Sequence, residues 1–140
     1  MSTVAATGDQ LRALNALDEN QGPVLMLNLL RYREQANYEA DSGETPCSGR
    51  EAYERYGAHV LALIDRVGGK PCLSASALVT VIAPDSEQWD DMIIVRYPSV
   101  AAFKSMIFSE DYLAISFHRD AGLADSRLVI TQAQLLDFSE

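Results

Sequence analysis

Leu29-Leu30-Arg31-Tyr32 and Ile94-Val95-Arg96-Tyr97 are near-copies of one pattern, set 65 residues apart. Each closes an apolar run of strand length, Val24–Leu30 in the first case and Trp89–Tyr97 in the second, and each precedes a helix signal. Val24-Leu-Met-Leu-Asn-Leu-Leu30 is continuously apolar apart from Asn28, as expected of a strand covered on both faces. In the second run Trp89, Asp91, Ile93, Val95 and Tyr97 fall on one face, and Met92, Ile94 and Arg96 on the other.

The rest of the chain is organised around these two strands. Upstream, Leu11, Leu14 and Leu17 recur three apart within Thr7–Asn20, a short amphipathic helix stopped by Gly22-Pro23. After the first strand comes a polar stretch without periodicity, Arg31–Cys47, long enough to act as a flap or a contacting arm. Ser48-Gly-Arg-Glu51 then has the form of a capping box, and Tyr53, Tyr56, Val60, Leu63 and Val67 mark the apolar face of the helix it starts. Gly68-Gly69 supplies a left-handed stop. Leu73–Ala83 reads as a second strand, followed by a turn at Pro84–Glu87. Beyond Tyr97, Pro98-Ser99 opens a helix that breaks near Phe108 and restarts at the cap Ser109-Glu110-Asp111. Gly122 ends it, and Arg127–Leu136 reads as the last strand.

The order strand, helix, strand, strand, helix, strand predicts an α+β fold: a ferredoxin-like βαββαβ unit with a four-stranded antiparallel sheet and an extra N-terminal helix. We read residues 1–140 as a single domain, with 1–23 as a helical extension and 31–48 as an inserted polar loop. Helices cover only one face of such a sheet, yet the strands carry apolar or uncharged residues on both: Ser74, Ser76, Leu78, Thr80 and Ile82 alternate with Leu73, Ala75, Ala77, Val79 and Val81. A bare apolar face of that size calls for a cover. The expected cover is a second copy, in a homodimer closed sheet to sheet.

Composition narrows the function classes. With 140 residues, 48% of them hydrophobic and 22% charged, the chain is a folded domain rather than a disordered one, large enough to need neither a disulfide nor a metal. Twenty acids against eleven Lys and Arg give a net charge of −9, which repels phosphate backbones and anionic lipid, so neither nucleic acid nor membrane is an expected partner. There is no signal-like N-terminus and no apolar run of spanning length, and a cytoplasmic location is expected. Cys47 and Cys72 have neither metal spacing nor disulfide density and read as reduced thiols.

Ala52-Tyr-Glu-Arg-Tyr56, Gly68-Gly-Lys70, Trp89-Asp-Asp-Met-Ile-Ile-Val-Arg-Tyr-Pro-Ser99, Ser109-Glu-Asp-Tyr112 and Arg119 together resemble the DUF1330 family of the dimeric α/β barrel superfamily. The resemblance runs over about residues 49–131, with Val24–Leu30 as the first strand. Tyr97 stands where the family usually has Phe and Lys70 where it usually has Arg, while the leading helix and the Arg31–Cys47 loop are insertions. What the resemblance implies is the ferredoxin-like fold and the dimer. The family has no settled activity, and its wider relatives include cofactor-independent monooxygenases, haem-binding and haem-degrading proteins, muconolactone isomerase-like enzymes and stress-related proteins.

Several residues have chemistry to offer. His59 borders the tyrosine face of its helix and would serve as a base near neutral pH, or else as a hydrogen-bonded boundary histidine. Arg119 and Tyr112 lie seven apart, two turns along one helix face, and would line one side of a cleft with Tyr53, or else serve packing and bridging. Arg96, echoed by Arg31, offers a guanidinium fork to a carboxylate, or pairs with Asp90 or Asp91. Asn28 must find partners inside an apolar strand, from a neighbouring backbone or a polar pocket. His118 is placed to interact with a helix C-terminus, and Trp89 to anchor a core or dimer contact. Asp85, Glu87, Asp90 and Asp91 lack the glycine and spacing of a calcium loop, no phosphate-binding glycine loop is present, and no metal or tightly bound cofactor is expected.

His59 and Arg119 are thus the candidate catalytic residues, and Asn28, Tyr53, Arg96 and Tyr112 the candidate ligand-binding ones. The expected function is binding or transformation of a small organic or anionic metabolite between sheet and helices. The alternative is a non-catalytic homodimer with a structural or stress-related role.

Overall fold

The computed structural model describes residues 2–135. Its elements run α1 (Gly8–Asn15), β1 (Val24–Tyr32), α2 (Gly49–Arg66), β2 (Lys70–Ser76), β3 (Asp91–Tyr97), α3 (Val100–Ile107), α4 (Glu110–Gly122) and β4 (Leu123–Thr131). The strands form one antiparallel sheet in the order β2-β3-β1-β4, so the two echo-bearing strands lie side by side at its centre, Val24 opposite Tyr97 and Asn28 opposite Ile93. This is the ferredoxin-like fold with an added N-terminal helix.

Local chemistry explains the boundaries. Thr7 and Gln10 form a capping box at α1, as Ser48 and Glu51 do at α2. Ser99 and Ser109 each accept from a main-chain amide three residues on, which starts α3 and α4 and breaks the helical path at Phe108. Gly68 terminates the α2 turn at φ 81°, a left-handed conformation that costs glycine nothing. Alternation sorts the central strand. Val24, Met26 and Leu30 of β1 face the helices, and with Val95 and Tyr97 of β3, Tyr56, Val60 and Ile64 of α2, and Val100, Phe103 and Met106 of α3 they supply the buried apolar interior. Leu25, Leu27 and Leu29 face the other way, beside Leu73, Met92, Ile94 and Val129.

Five elements have bounds that differ from the sequence reading. The leading helix stops at Asn15 rather than Asn20, because a turn closes there (Leu17 N–H to the Leu14 carbonyl) and seats Leu14 and Leu17 against the interior. β2 covers Lys70–Ser76, not Leu73–Ala83, and β3 begins at Asp91 rather than Trp89: the Ala77 amide to the Asp90 carbonyl is the last rung between them. As an edge strand β2 has only β3 to pair with, so the chain beyond it leaves the sheet, with Leu78, Val79, Val81 and Ile82 exposed. β1 runs on through Tyr32, which shortens the polar loop. β4 starts at Leu123, directly after α4, rather than at Arg127, and the expected end of that strand, Leu136, lies outside the described residues.

A close backbone approach accounts for the early start of β4. Gly49 at the head of α2 lies against Gly122 at the foot of α4, so tightly that a Cβ on Gly49 would stand 2.2 Å from the Arg33 carbonyl oxygen and 2.6 Å from that of Gly122. The loop is stitched into the same corner: Arg33 N–H donates to the Gly122 carbonyl, Gly49 N–H to the Arg33 carbonyl and Asn37 N–H to the Ala121 carbonyl.

Candidate functional site

The helix-facing side of the sheet carries an aromatic ladder. Tyr32 at the end of β1 stacks obliquely on Tyr53 of α2 (5.6 Å between ring centres), Tyr53 on Tyr56 (5.2 Å), and Tyr56 meets Tyr112 of α4 edge to face (6.1 Å) with their hydroxyls 2.9 Å apart. The i, i+3 spacing of Tyr53 and Tyr56 puts both on one side of α2, and α4 packs alongside to bring in Tyr112. Burial raises the phenol pKa at each of three positions: Tyr53 to about 12, helped by the neighbouring Tyr112 and Asp91; Tyr56 well above the usual value, helped by Tyr112; and Tyr32 likewise, where the hydroxyl also donates to Asp91 at 2.6 Å. These rings are neutral hydrogen-bond donors at physiological pH.

Asn28 is on the same side of the sheet, sharing its row with Met26 and Leu30, and its amide donates to the carbonyls of Ile93 (3.2 Å) and Met26 (3.3 Å). Directly opposite, Leu128 of β4 is 47% exposed although it occupies a helix-facing position. The helices therefore leave the sheet open at Leu128, beside the half-buried Asn28, while Ile130 two residues on packs against the interior. Ser126, the next helix-facing residue of β4, is buried.

Arg119 of α4 reaches this side too. Its side chain is only 13% exposed, donates to the Val4 carbonyl at 2.7 Å, lies 3.5 Å from the Ser126 hydroxyl and 3.9 Å from Asp120, and its charge opposes the upward pKa shifts of Tyr53 and Tyr56. The N-terminal arm that supplies Val4 is tied to β4: Thr3 N–H donates to Asp125 (2.8 Å), the Thr3 hydroxyl to the Ser126 carbonyl (2.7 Å), and the Ser126 amide (2.7 Å) and hydroxyl (2.9 Å) to the Thr3 carbonyl.

Asn28, Tyr53, Tyr112 and Arg119 thus share one side of the sheet; His59 and Arg96 do not join them. His59 is exposed on α2 and stacks on the buried His118 of α4 (5.9 Å, 14° between planes) rather than on the tyrosines. Arg96 is exposed on the opposite face of the sheet, across from Leu25 and Lys70, and Arg31 there reaches the Ser86 carbonyl. Asp91 pairs instead with Arg50 (2.9 Å), and Asp90 accepts from the Tyr32 amide. His118 is not at a bare helix end: its Nδ1 is 2.6 Å from the Tyr38 hydroxyl and 3.6 Å from Glu44, under the docked polar loop. Trp89 carries Arg127 over its ring at 5.0 Å.

Sequence reasoning passed over Ser126, Thr3 and Val4, and the partnership of Tyr38 with His118. No local pattern marks them, since each depends on a pairing between segments about 80 or more residues apart. Two cavities lie away from the tyrosines, one of 270 Å³ within the polar loop beside Tyr38 and Glu44, and one of 100 Å³ beside Leu17, Val24 and Ile130. Among the described residues no group of three or more His, Cys, Asp or Glu is placed to hold a metal ion, and no helix is long and apolar enough to cross a membrane.

Residues 44–133 match the model of a domain of unknown function, DUF1330. The chain belongs to the DUF1330 family. A crystallised protein of unknown function from Rhodopseudomonas palustris is 34% identical to this DUF1330 chain, over 97% of it and 100% of the relative, with a TM-score of 0.87. Likeness of fold alone extends to a dabb family protein with a ferredoxin-like fold from Mesorhizobium loti (9% identity, 81% and 98% of the two chains, TM-score 0.52). It extends also to a dimeric protein of unknown function and ferredoxin-like fold from Bacteroides fragilis (10%, 81% and 98%, TM-score 0.50). No curated protein matches the chain.

Proposed function

We propose that this DUF1330 chain forms a single-domain homodimer, sheet against sheet, and that each protomer binds a small organic molecule between its own sheet and helices. The observation that carries the pocket is the exposed helix-facing Leu128 beside Asn28, on the same side of the sheet as neutral phenols and a poorly exposed guanidinium. An apolar floor with a few convergent polar groups is the usual make-up of a small-molecule site. Asn28, Tyr53, Tyr112 and Arg119 are the residues assigned to it; the tyrosines donate hydrogen bonds and Arg119 supplies positive charge. The dimer is supported by the apolar face of Leu25, Leu27, Leu29, Leu73, Met92 and Ile94 and by a fold shared with a protein described as dimeric.

Native mass spectrometry of freshly purified protein tests both parts: the expected species is a dimer carrying up to two copies of a small organic molecule, lost from an Arg119→Ala variant that keeps its mass and melting temperature. A monomer at micromolar concentration removes the sheet-to-sheet reading. An unchanged ligand load in the variant removes Arg119 from the site. A purely structural dimer has one observation in its favour, since every buried side-chain polar atom among the described residues already has a partner. A dimer that purifies empty and captures nothing from a metabolite extract would favour it.

A further inference from the structure

Arg119 is already satisfied, and what satisfies it has the chemistry of a ligand. Two consecutive main-chain carbonyls of the N-terminal arm are received by one small group of donors: that of Thr3 by the amide and hydroxyl of Ser126, and that of Val4 by the Arg119 guanidinium. The Ser126 hydroxyl and the Arg119 guanidinium lie 3.5 Å apart, and with the Ser126 amide they are donors of the kind that receive a carboxylate. The arm is not built into the sheet between strands; it is laid on the outer edge of β4 and held there through Thr3 alone among its described hydrogen bonds to β4 and α4, apart from the Val4 carbonyl itself.

We infer that Arg119 and Ser126 form a receptor for the carboxylate of a small organic acid, and that the Thr3–Val4 arm is an internal stand-in for that acid which must leave before it binds. The inference rests on the pocket reading above and names its ligand class. The position suits the rest of the chemistry on the page. A net charge of −9 repels an anion from most of the surface, so an acid is held only where a cation is sheltered from water, and Arg119 is such a cation. The acids near it are Asp120, 3.9 Å away and largely exposed, and Asp125, whose carboxylate stays paired with Arg127 at 2.7 Å once Thr3 has left. The neighbouring tyrosines stay neutral and add donors rather than negative charge. An arm that fills the receptor lowers apparent affinity by the fraction of molecules in which it is lifted.

The test uses the full chain with two probes of one shape, benzoate and neutral benzyl alcohol, followed by titration calorimetry and by the NMR shift of the Asn28 side-chain amide. Thr3→Pro removes the amide donor to Asp125 and loosens the arm; Thr3→Ala removes only the hydroxyl. Benzoate is expected to bind about tenfold more tightly to Thr3→Pro than to the unaltered chain, with Thr3→Ala between the two. Arg119→Gln added to Thr3→Pro should cancel that gain for benzoate and weaken benzyl alcohol far less. Equal benzoate affinity in the unaltered chain and both Thr3 variants overturns the stand-in. Benzoate binding that survives Arg119→Gln, or that never exceeds benzyl alcohol, overturns the carboxylate receptor while the pocket stands. If neither probe moves the Asn28 amide in any variant, the pocket reading itself fails and the inference falls with it.

Discussion

Leu29 and Leu30 are neighbours in one strand and belong to two different surfaces. Leu30 faces the helices and is completely buried; Leu29 faces the other side, in a row with Leu25 and Leu27, and is left half-buried. The covered face combines deep apolar packing with polar groups that find partners: Asn28 on two carbonyls, Tyr56 on Tyr112, Arg119 on Val4. On the bare face the central residues are apolar, and the charges, Arg31, Lys70, Arg96, Asp125 and Arg127, stand toward its margins. The difference teaches where to look for each function. Ligand chemistry needs varied polar groups held in fixed positions, and only the covered side has them. Self-association needs broad apolar area without unpaired polar groups, and only the bare side has that.

The comparison breaks most visibly through size. Leu30→Ala leaves a cavity in the covered face and should cost about 2–5 kcal/mol, read as a drop in denaturant midpoint with unchanged slope. Ile94→Asp, set among Leu27 and Leu73 on the bare face, should change protomer stability far less but weaken the dimer about 100-fold or more, because an unpaired carboxylate would be buried on closure. Light scattering over a dilution series checks it. A dimer as tight as before would move the interface to another surface, while a protomer that unfolds outright would show that the bare face is part of the protomer's own core.

Much of this division was legible in the sequence, for physical reasons that also mark its limits. Period-two alternation assigns every strand residue to one of two faces, so the apolar second face was readable from Leu73–Ala75 and Met92–Ile94 without knowing what covers it, while Leu78–Ile82, read into the same strand, lie off the sheet. The caps at Ser48, Ser99 and Ser109 were readable because each is a local exchange between residues three apart. The end of β2 was not, because Leu78-Val-Thr-Val-Ile82 has every propensity of a strand and lacks only a neighbour. Nor was the start of β4, which depends on two glycines, Gly49 and Gly122, meeting across the fold. Of the candidate site, Asn28 stood out as a lone amide in an apolar strand, and Tyr53, Tyr112 and Arg119 were assigned from spacing and resemblance. Helical spacing from Tyr56 suggested His59 as well, but an i, i+3 neighbour can still face a different helix, and His59 meets His118. Arg96 was drawn in by its echo with Arg31, and alternation itself puts both on the bare face.

Within the covered face a smaller change isolates polar from apolar support. Tyr56→Phe keeps the ring in the ladder and removes the hydroxyl paired with Tyr112, so the expected loss is about 1 kcal/mol, an ordinary buried hydrogen bond. Should the variant be as stable as the parent, the hydroxyl pair serves something other than folding, and the same protein then offers a direct reading of its part in ligand binding.

The finest separation of the two sides comes from pH. The bare face holds arginines and a lysine, which keep their protons throughout acid conditions, and one carboxylate, Asp125, whereas the covered side has His118 packed beneath the polar loop. Burial holds its pKa below the ordinary 6.5, with Arg55 and His59 acting in the same direction and Glu44 against them. The unfolded chain therefore takes up a proton just below pH 6.5 that the folded chain refuses. Stability should fall as the pH drops through 6.5 and level off once it passes the lowered folded value. Asp125, whose carboxyl is held below its usual 3.8 by Thr3, Arg127 and Ser126 against the opposing effect of burial, begins to contribute only at lower pH and lies outside this window. Thermal melts from pH 7.5 to 5 should show the decline in the parent and in Ile94→Asp alike, and a flatter profile in His118→Gln, where no proton can be taken up. A decline that vanishes in Ile94→Asp instead would place the acid-sensitive group at the interface between protomers and reverse the division of labour between the two faces.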